Sequence, residues 1–282
     1  MSIQQVIVCG AGTMGSGIAQ VAAQNGAATF LFDLSPQALE KAREQIHASW
    51  KSLVDKQRMS PQEMERARTN LHFTGDPAGV KADLVIEAIV EKPEAKIALF
   101  KTLAAAGAGN TIFASNTSSL SIDAIQQALP FGERVIGLHF FNPAPLMKLV
   151  EIVTGAQTDP RLPPLLDKLL RSWGKVPVHC KDAPGFIVNR VARPYYLEAL
   201  QLAGEGGTDM ETIDRIAEAS GFRMGPFRLM DLIGNDINLA VSRSLYDACG
   251  HPLRFKPSPI QEAIVAKGEL GRKTGKGYYT YS

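Results

Sequence analysis

The sequence predicts an α/β domain of mostly parallel strands carrying a helical hairpin insertion, followed by an all-α domain. Three observations predict it. Short apolar runs alternate with helical periodicity from Gln5 to about Val178. A glycine-rich turn stands directly between the first apolar run and the first helix. Beyond Phe186 strand signals nearly vanish while helical periodicity persists. A chain of 282 residues exceeds the roughly 250 at which a single core stops growing. Two domains are therefore expected, 1-184 and 185-282, with Asp182-Ala-Pro184-Gly185 as the linker.

Taken in order, Gln5-Val-Ile-Val-Cys9 reads as a buried strand, and Gly10-Ala-Gly12-Thr13-Met14-Gly15 opens an Ala-rich helix running to about Asn25-Gly26. Ala28-Thr-Phe-Leu-Phe32 is a second strand, closed by Asp33. The first glycine suits a tight turn, the second lets backbone approach a pyrophosphate, and the third lets helix pack on strand. A lone G-x-G-x-x-G is often only a flexible loop, but here strand, glycines, helix, strand and acid follow in order. That order predicts a dinucleotide site with phosphate on the helix N-terminus. Asp33 would accept hydrogen bonds from an adenosine ribose and repel a 2'-phosphate, favouring NAD over NADP.

Pro36 to about Lys56 is expected to be helical, with Ala38, Leu39, Ala42, Ile46, Leu53 and Val54 apolar, and a second short helix begins at Pro61 after Ser60. This insertion is longer than a nucleotide fold needs. Its basic residues could meet phosphates of a large substrate, although a solvated helix face explains most of them. Strands follow at Leu71-Thr74, Leu84-Ile89 and Thr111-Ala114, with a helix from Pro93 to about Gly107 and the turn Ser115-Asn116-Thr117-Ser118-Ser119. After Glu151-Ile-Val the pattern predicts a helix near Leu162 to Trp173 and an edge strand at Gly174-Val178. In the second domain Thr208-Asp-Met-Glu211 reads as a capping box, and Met224-Gly-Pro226 starts a helix continuing through Leu245. The tail from Leu270 holds too many glycines for a helix.

Composition bounds the function. Apolar residues make up 45% and charged residues 21%, ordinary values for a globular chain. A net charge of +2 with interspersed signs gives no basic stripe, so no nucleic-acid partner is expected. Cys9, Cys180 and Cys249 are odd in number and far apart, which argues against a disulfide framework and points to a reducing cytoplasm. Residues 6 to 32 carry no charge, but no Lys or Arg precedes them and Gly10, Gly12, Gly15 and Gly17 break the run, so a membrane segment is rejected. The five histidines are isolated and show no H-E-x-x-H spacing, so no metal is expected.

The chemistry is expected in Val135-Ile-Gly-Leu-His139-Phe-Phe-Asn142-Pro-Ala-Pro145 and the following run to Glu151. Two strand-like pieces joined by a corner would bring His139 and Glu151 together as a general base and its orienting partner. The alternative is a half-buried histidine with satisfied hydrogen bonds beside a surface glutamate. Glu87, Glu91, the serine-rich turn and His139 all follow strand ends, where ligands of parallel sheets collect. Ser118 or Ser119 could instead cap a helix over 121 to 129.

Over nearly its full length the chain resembles the L-3-hydroxyacyl-CoA dehydrogenase family. The matching runs include Gly10-Ala-Gly-Thr-Met-Gly15, Ala114-Ser-Asn-Thr-Ser-Ser119, Gly137-Leu-His-Phe-Phe-Asn-Pro143, Met147-Lys-Leu-Val-Glu151, Pro184-Gly-Phe-Ile-Val-Asn-Arg190, Met224-Gly-Pro226 and Gly271-Arg-Lys-Thr-Gly275. The resemblance implies a Rossmann-type domain, a helical domain that forms a homodimer, and NAD-dependent oxidation of a 3-hydroxyacyl-CoA. It implies His139 as general base, Glu151 as its partner, and Ser118 and Asn189 as hydrogen-bond donors to substrate oxygens. Gly10, Gly12, Thr13, Met14 and Gly15 are implied at the cofactor, with Asp33, Glu91, Lys96, Asn116 and Asn142. The match in the insertion is loose, and Ser49 and Lys56 are the residues it implies for CoA.

Two enzymatic alternatives stay open: a 3-hydroxyadipyl-CoA dehydrogenase of aromatic catabolism, and a carnitine- or gulonate-type dehydrogenase of a free hydroxy acid. A non-catalytic, crystallin-like relative is disfavoured by the complete set Ser118, His139, Glu151 and Asn189. No fused hydratase domain is expected, so the chain reads as monofunctional. The segment Val188-Tyr196 resembles versions whose acyl group carries a distal carboxylate, and Arg193 is expected to face such a group or solvent. A short 3-hydroxybutyryl chain needs the fewest assumptions.

Overall fold

Runs rich in Val, Ile and Leu form β1 (Gln5–Cys9), β2 (Ala28–Phe32), β3 (Leu71–Thr74), β4 (Leu84–Glu87), β5 (Ile112–Ser115) and β6 (Val135–Phe140), all parallel to one another. β7 (Leu149–Thr154) runs antiparallel to β6, and β8 (Val176–Lys181) lies parallel to β7 at the edge. The order β3-β2-β1-β4-β5-β6-β7-β8 reverses direction between β1 and β4. Such a reversal opens a crevice at the carboxyl ends of the strands. The computed structural model describes residues 3–107 and 109–281. It separates into two units at Asp182 and Ala183, two residues before the expected boundary.

Helices α1 (Thr13–Gln24), α2 (Pro36–Asp55), α3 (Pro61–Asn70), α4 (Pro93–Ala106), α5 (Ile122–Gln127) and α6 (Leu162–Ser172) complete the first unit. Proline at the first helical position and serine caps start α2 and α3: Ser35 Oγ accepts from Ala38 N, and Ser60 with Glu63 forms a reciprocal capping box. The buried face of α2 is Leu39, Ala42, Ile46 and Trp50, a stripe at three- and four-residue spacing that the sequence reading missed at Trp50. These residues join Val6, Val8, Ile18, Leu31, Leu84, Ile86, Ile136, Leu138, Leu166 and Leu170 in one core.

Three strand boundaries differ from expectation for local reasons. β4 stops at Glu87 because the Ile89 N–H turns to the Glu87 carboxylate instead of the ladder. β5 starts one residue late, where the Thr111 hydroxyl donates to the Ala82 carbonyl. The edge strand begins at Val176 rather than Gly174, because Gly174 adopts φ +70 to close the turn after α6.

The second unit contains α7 (Val188–Gly204), α8 (Met210–Ala219), α9 (Pro226–Ile233), α10 (Asn235–Ala248) and α11 (Pro259–Ala266) around Tyr196, Leu197, Leu200, Ile213, Phe227 and Met230. The expected Thr208 capping box is corrected: Asp209 caps α8, its Oδ1 accepting from Thr212 N at 2.8 Å. The single helix expected from Pro226 to Leu245 is two, broken at Gly234 with φ +105. The glycine-rich tail winds over two buried carboxylates. Asp231 accepts from Tyr278 N and Tyr279 N at 3.0 Å each and from the Tyr281 hydroxyl at 2.9 Å, while Asp214 accepts from the Tyr279 hydroxyl at 2.8 Å. Any Cβ at Gly277 would sit 2.0 Å from Asp231 Oδ1, so that closure requires glycine. Among the described residues no helix is long and apolar enough to cross a membrane.

Candidate active site

The chain leaves β1 through Gly10, which takes φ +99 while its N–H donates to the Phe32 carbonyl. A Cβ there would lie 2.6 Å from the Ala88 carbonyl oxygen, and one at Gly15 would lie 1.8 Å from the Gly10 oxygen. Those two glycines are dictated by protein packing. Gly12 differs, because a Cβ at that position meets nothing within 4 Å. It caps α1, whose first turn has neither a side-chain cap nor an acidic residue. The Thr13 and Met14 end of the helix thus presents positive dipole and open space, which fits a pyrophosphate. Asp33, at the end of β2, accepts from Ala11 N at 2.7 Å and Ser35 N at 2.8 Å. Its carboxylate shapes the turn and stands at the edge where a ribose would lie, so the residues present fit NAD.

A buried polar chain runs beside this turn. Glu87 is wholly buried; its Oε1 accepts from Lys96 Nζ at 2.6 Å and Ile89 N at 2.7 Å, and its Oε2 accepts from the Ser115 hydroxyl at 2.8 Å. Burial holds the Glu87 carboxyl above the usual range despite Lys96 and these donors. Lys96, 1% exposed, also reaches Glu91 at 3.1 Å. Glu91 Oε1 accepts from the Thr117 hydroxyl, from Ser118 N at 3.1 Å and from the Ser119 hydroxyl at 3.0 Å. Partial burial would raise the Glu91 carboxyl, but Lys96 and these hydroxyls outweigh it and hold it below the usual range. The turn after β5 is therefore fixed by an anion on α4's N-terminal approach. Neither Ser118 nor Ser119 caps α5; Ser121 does, accepting from Ala124 N.

Asn116 Oδ1 accepts from Phe140 N at 2.8 Å, which ties this turn to the end of β6. One residue earlier stands His139. Antiparallel register places His139 directly opposite Glu151, and both side chains are buried, at 6% and 1% exposure. His139 Nδ1 lies 2.7 Å from Glu151 Oε2. A carboxylate only accepts, so Nδ1 carries the proton and Nε2 is the basic ring nitrogen. The Phe141 ring packs 4.4 Å from the imidazole. The loop beyond holds exposed Asn142 in a cis peptide with Pro143, and its Ala144 and Pro145 pack within 3.1 Å of where a Gly17 Cβ would stand on α1. Lys175 holds this loop by donating to the Ala144 and Met147 carbonyls.

The structure places Gly10, Gly12, Thr13, Met14, Gly15, Asp33, Glu91, Lys96, Asn116, Ser118, His139, Asn142 and Glu151 in the first unit, most of them at or just beyond the carboxyl ends of β1, β2, β4, β5 and β6, with Lys96 on α4 and Glu151 on β7 opposite His139. Ser49 lies on α2, where its hydroxyl accepts from Gln20 Nε2 at 3.0 Å, and exposed Lys56 is the C-cap of the same helix. Asn189 belongs to the second unit, in the first turn of α7. Glu87 and Thr117 are the site residues that sequence reasoning left without a role. A carboxylate inside an apolar strand was the available signal for Glu87. Among the described residues no group of three His, Cys, Asp or Glu side chains is placed to hold a metal ion.

Residues 5–183 match the family model described as 3-hydroxyacyl-CoA dehydrogenase, NAD binding domain, and residues 185–281 match the 3-hydroxyacyl-CoA dehydrogenase C-terminal domain. A 3-hydroxyadipyl-CoA dehydrogenase of Escherichia coli K12 is 47% identical across the whole chain, which spans 60% of that relative's length. A mitochondrial hydroxyacyl-coenzyme A dehydrogenase of Sus scrofa is 40% identical over 99% of the chain and 91% of its own. The crystal structure of (S)-3-hydroxybutyryl-CoA dehydrogenase from Ralstonia eutropha superposes with a TM-score of 0.95 at 37% identity, covering all of both chains. With the glycine turn, the acid at the end of β2 and the buried His-Glu pair in place, this chain belongs to the 3-hydroxyacyl-CoA dehydrogenase family of NAD-dependent oxidoreductases.

Proposed function

We propose that the protein oxidises a short (S)-3-hydroxyacyl-CoA to the 3-ketoacyl-CoA, reversibly, with 3-hydroxybutyryl-CoA as the simplest substrate. The observation that carries this reading is the buried His139–Glu151 pair near the carboxyl end of β6, in the same sheet whose β1 leads into the glycine turn. NAD, when bound, accepts the hydride from C3. Gly10, Gly12, Thr13, Met14 and Gly15 hold its pyrophosphate, Asp33 its ribose, and Glu91, Lys96, Asn116 and Asn142 its nicotinamide half. His139 Nε2 takes the hydroxyl proton, and Glu151 keeps the ring in the required tautomer and stabilises the imidazolium. Ser118 and Asn189 hydrogen-bond the substrate oxygens, while Ser49 and Lys56 meet the CoA.

The two units divide this work as a cofactor-binding domain, Met1–Asp182, and a substrate and dimerisation domain, Ala183–Ser282. A homodimer through the helical unit is supported by exposed Val191, Ile216, Phe222, Ile237 and Leu253, between 51% and 83% exposed. A reducing cytoplasm suits the three free cysteines. The test is NADH consumption with acetoacetyl-CoA and with free acetoacetate side by side. Turnover of the thioester is expected; turnover of the free acid alone would overturn the reading in favour of a hydroxy-acid dehydrogenase.

A further inference from the structure

Glu87 ends β4 as a carboxylate with no exposed surface. Neutralising Lys96 does not explain it, because Glu91 also lies 3.1 Å from that ammonium. The cluster thus sets two carboxylates around one cation, and burial works against ionising the inner one. Stability does not explain it either, since an interior ion pair is often replaced by apolar side chains of similar volume at no cost to the fold. What Glu87 supplies lies in what it holds.

Its two oxygens start two arms. Oε2 accepts from the Ser115 hydroxyl at 2.8 Å, and Ser115 Oγ accepts in turn from Thr117 N at 3.3 Å. Oε1 accepts from Lys96 Nζ at 2.6 Å, Lys96 reaches Glu91 Oε2 at 3.1 Å, and Glu91 Oε1 accepts from the Thr117 hydroxyl. Both arms end on Thr117, one at its N–H and one at its hydroxyl. The Glu87 carbonyl also accepts from Asn116 N at 2.8 Å, so the same residue grips the backbone one position earlier. Glu87, Lys96, Ser115 and Thr117 are each at most 1% exposed, which keeps water from competing for these bonds.

Ser118 follows directly. Its N–H donates to Glu91 Oε1 at 3.1 Å, while Thr117 Oγ1 accepts from Ser119 N at 3.2 Å and from Leu120 N at 2.8 Å. The backbone on both sides of Ser118 is thereby folded about a hydroxyl and a carboxylate that the two arms hold. Glu91 is the outer member of its arm: its side chain is 39% exposed, and Lys96, itself seated on Glu87, holds its second oxygen. At the start of the turn, Asn116 Oδ1 accepts from the N–H of Phe140, the residue after His139.

We infer that Glu87 is a positioning residue for the proposed reaction: through Ser115 on one arm and Lys96 with Glu91 on the other, it sets where the turn carries Ser118 relative to His139. This rests on the reading of Ser118 as a hydrogen-bond partner of the substrate oxygen. A misplacement of about 1 Å in such a group can cost about 10²-fold in rate.

The test is a double-mutant cycle in kcat, with NADH, saturating acetoacetyl-CoA and the full-length protein. Glu87→Leu fills similar space and accepts nothing, so it cuts both arms. Its kcat is expected to fall at least about tenfold when Ser118 is present, but less than about threefold when Ser118→Ala has already removed the hydroxyl. Glu87→Gln still accepts from Lys96 but turns a donor toward the Ser115 hydroxyl, so it cuts one arm. Its loss is expected to be about three- to tenfold, again confined to the protein that keeps Ser118. A residue that merely supports the fold lowers kcat by the same factor in both backgrounds. Equal factors in the two backgrounds, or an unchanged kcat in both Glu87 variants, overturn the inference and leave the proposed reaction standing. If Glu87→Leu fails to fold, the Glu87→Gln cycle decides alone. An unaltered protein that does not turn over acetoacetyl-CoA overturns both.

Discussion

A histidine buried to 6% with its Nδ1 on a carboxylate does different work from one merely filling space, and substitution separates the two roles. His139→Gln keeps a polar group of similar size in β6 but cannot take a proton. General-base removal costs about 10²–10⁴-fold in rate. We expect kcat to fall by that much while NADH affinity, followed by fluorescence titration, stays within about twofold. A parallel collapse of NADH affinity would assign His139 to structure instead. The pair itself was legible in the sequence, because His139 and Glu151 each sit near the corner of two apolar runs and strand geometry does the rest. The role of Glu87 was not. A buried carboxylate is stable only with donors around it, and those come from Lys96, Ser115 and Ile89, which lie 2 to 28 positions away. No local pattern announces such a set.

At the scale of elements, the glycine turn offers a sharper experiment than any single catalytic residue. Two of its glycines are required by packing within the protein, whereas at the third a Cβ would meet nothing within 4 Å. A methyl at Gly15 would collide with the Gly10 carbonyl oxygen in the middle of the first βα unit, whereas one at Gly12 meets open space. Gly15→Ala is therefore expected to lower thermal stability severely. Gly12→Ala is expected to leave the melting temperature within about 2 °C, since surface changes usually stay within about 0.5 kcal/mol. It should nonetheless weaken NADH binding at least tenfold. Equal NADH affinity in Gly12→Ala, measured by calorimetry, would take the pyrophosphate away from this turn. The order of strands and helices here was readable because each apolar run is short and bounded by Gly, Pro or Asp. The precise ends were not: β4 and β5 are trimmed by side-chain hydrogen bonds of Glu87 and Thr111, and one long helix became α9 and α10 because Gly234 takes a positive φ. Propensity does not encode those competitions.

For the molecule as a whole, the proposed homodimer would cover large apolar side chains that the second unit leaves exposed. Val191 and Ile216 are 72% and 60% exposed, and Phe222 is 54% exposed. Sedimentation equilibrium is expected to return about twice the chain mass of 30.4 kDa, and Val191→Glu to shift the population toward single chains. A monomer at all concentrations would remove the helical unit from the interface. The division into an α/β part and a helical part was evident from the change of periodicity near Phe186, whereas the burial of Arg193 was not, because it depends on Asn238 and Ser242 of α10 arriving from far along the chain.

The clasp on Asp231 and Asp214 makes the helical unit depend on its own tail. Donors to both carboxylates come from Tyr278, Tyr279 and Tyr281, so a chain that ends at Leu270 holds two acids in an apolar interior with part of their hydrogen bonding missing. Buried polar groups short of hydrogen-bond donors favour water. The last eleven described residues are therefore the part of the helical unit that completes the hydrogen bonding of its two buried acids, so shortening the chain to Leu270 is expected to cost that unit more stability than the exposure of the tail suggests.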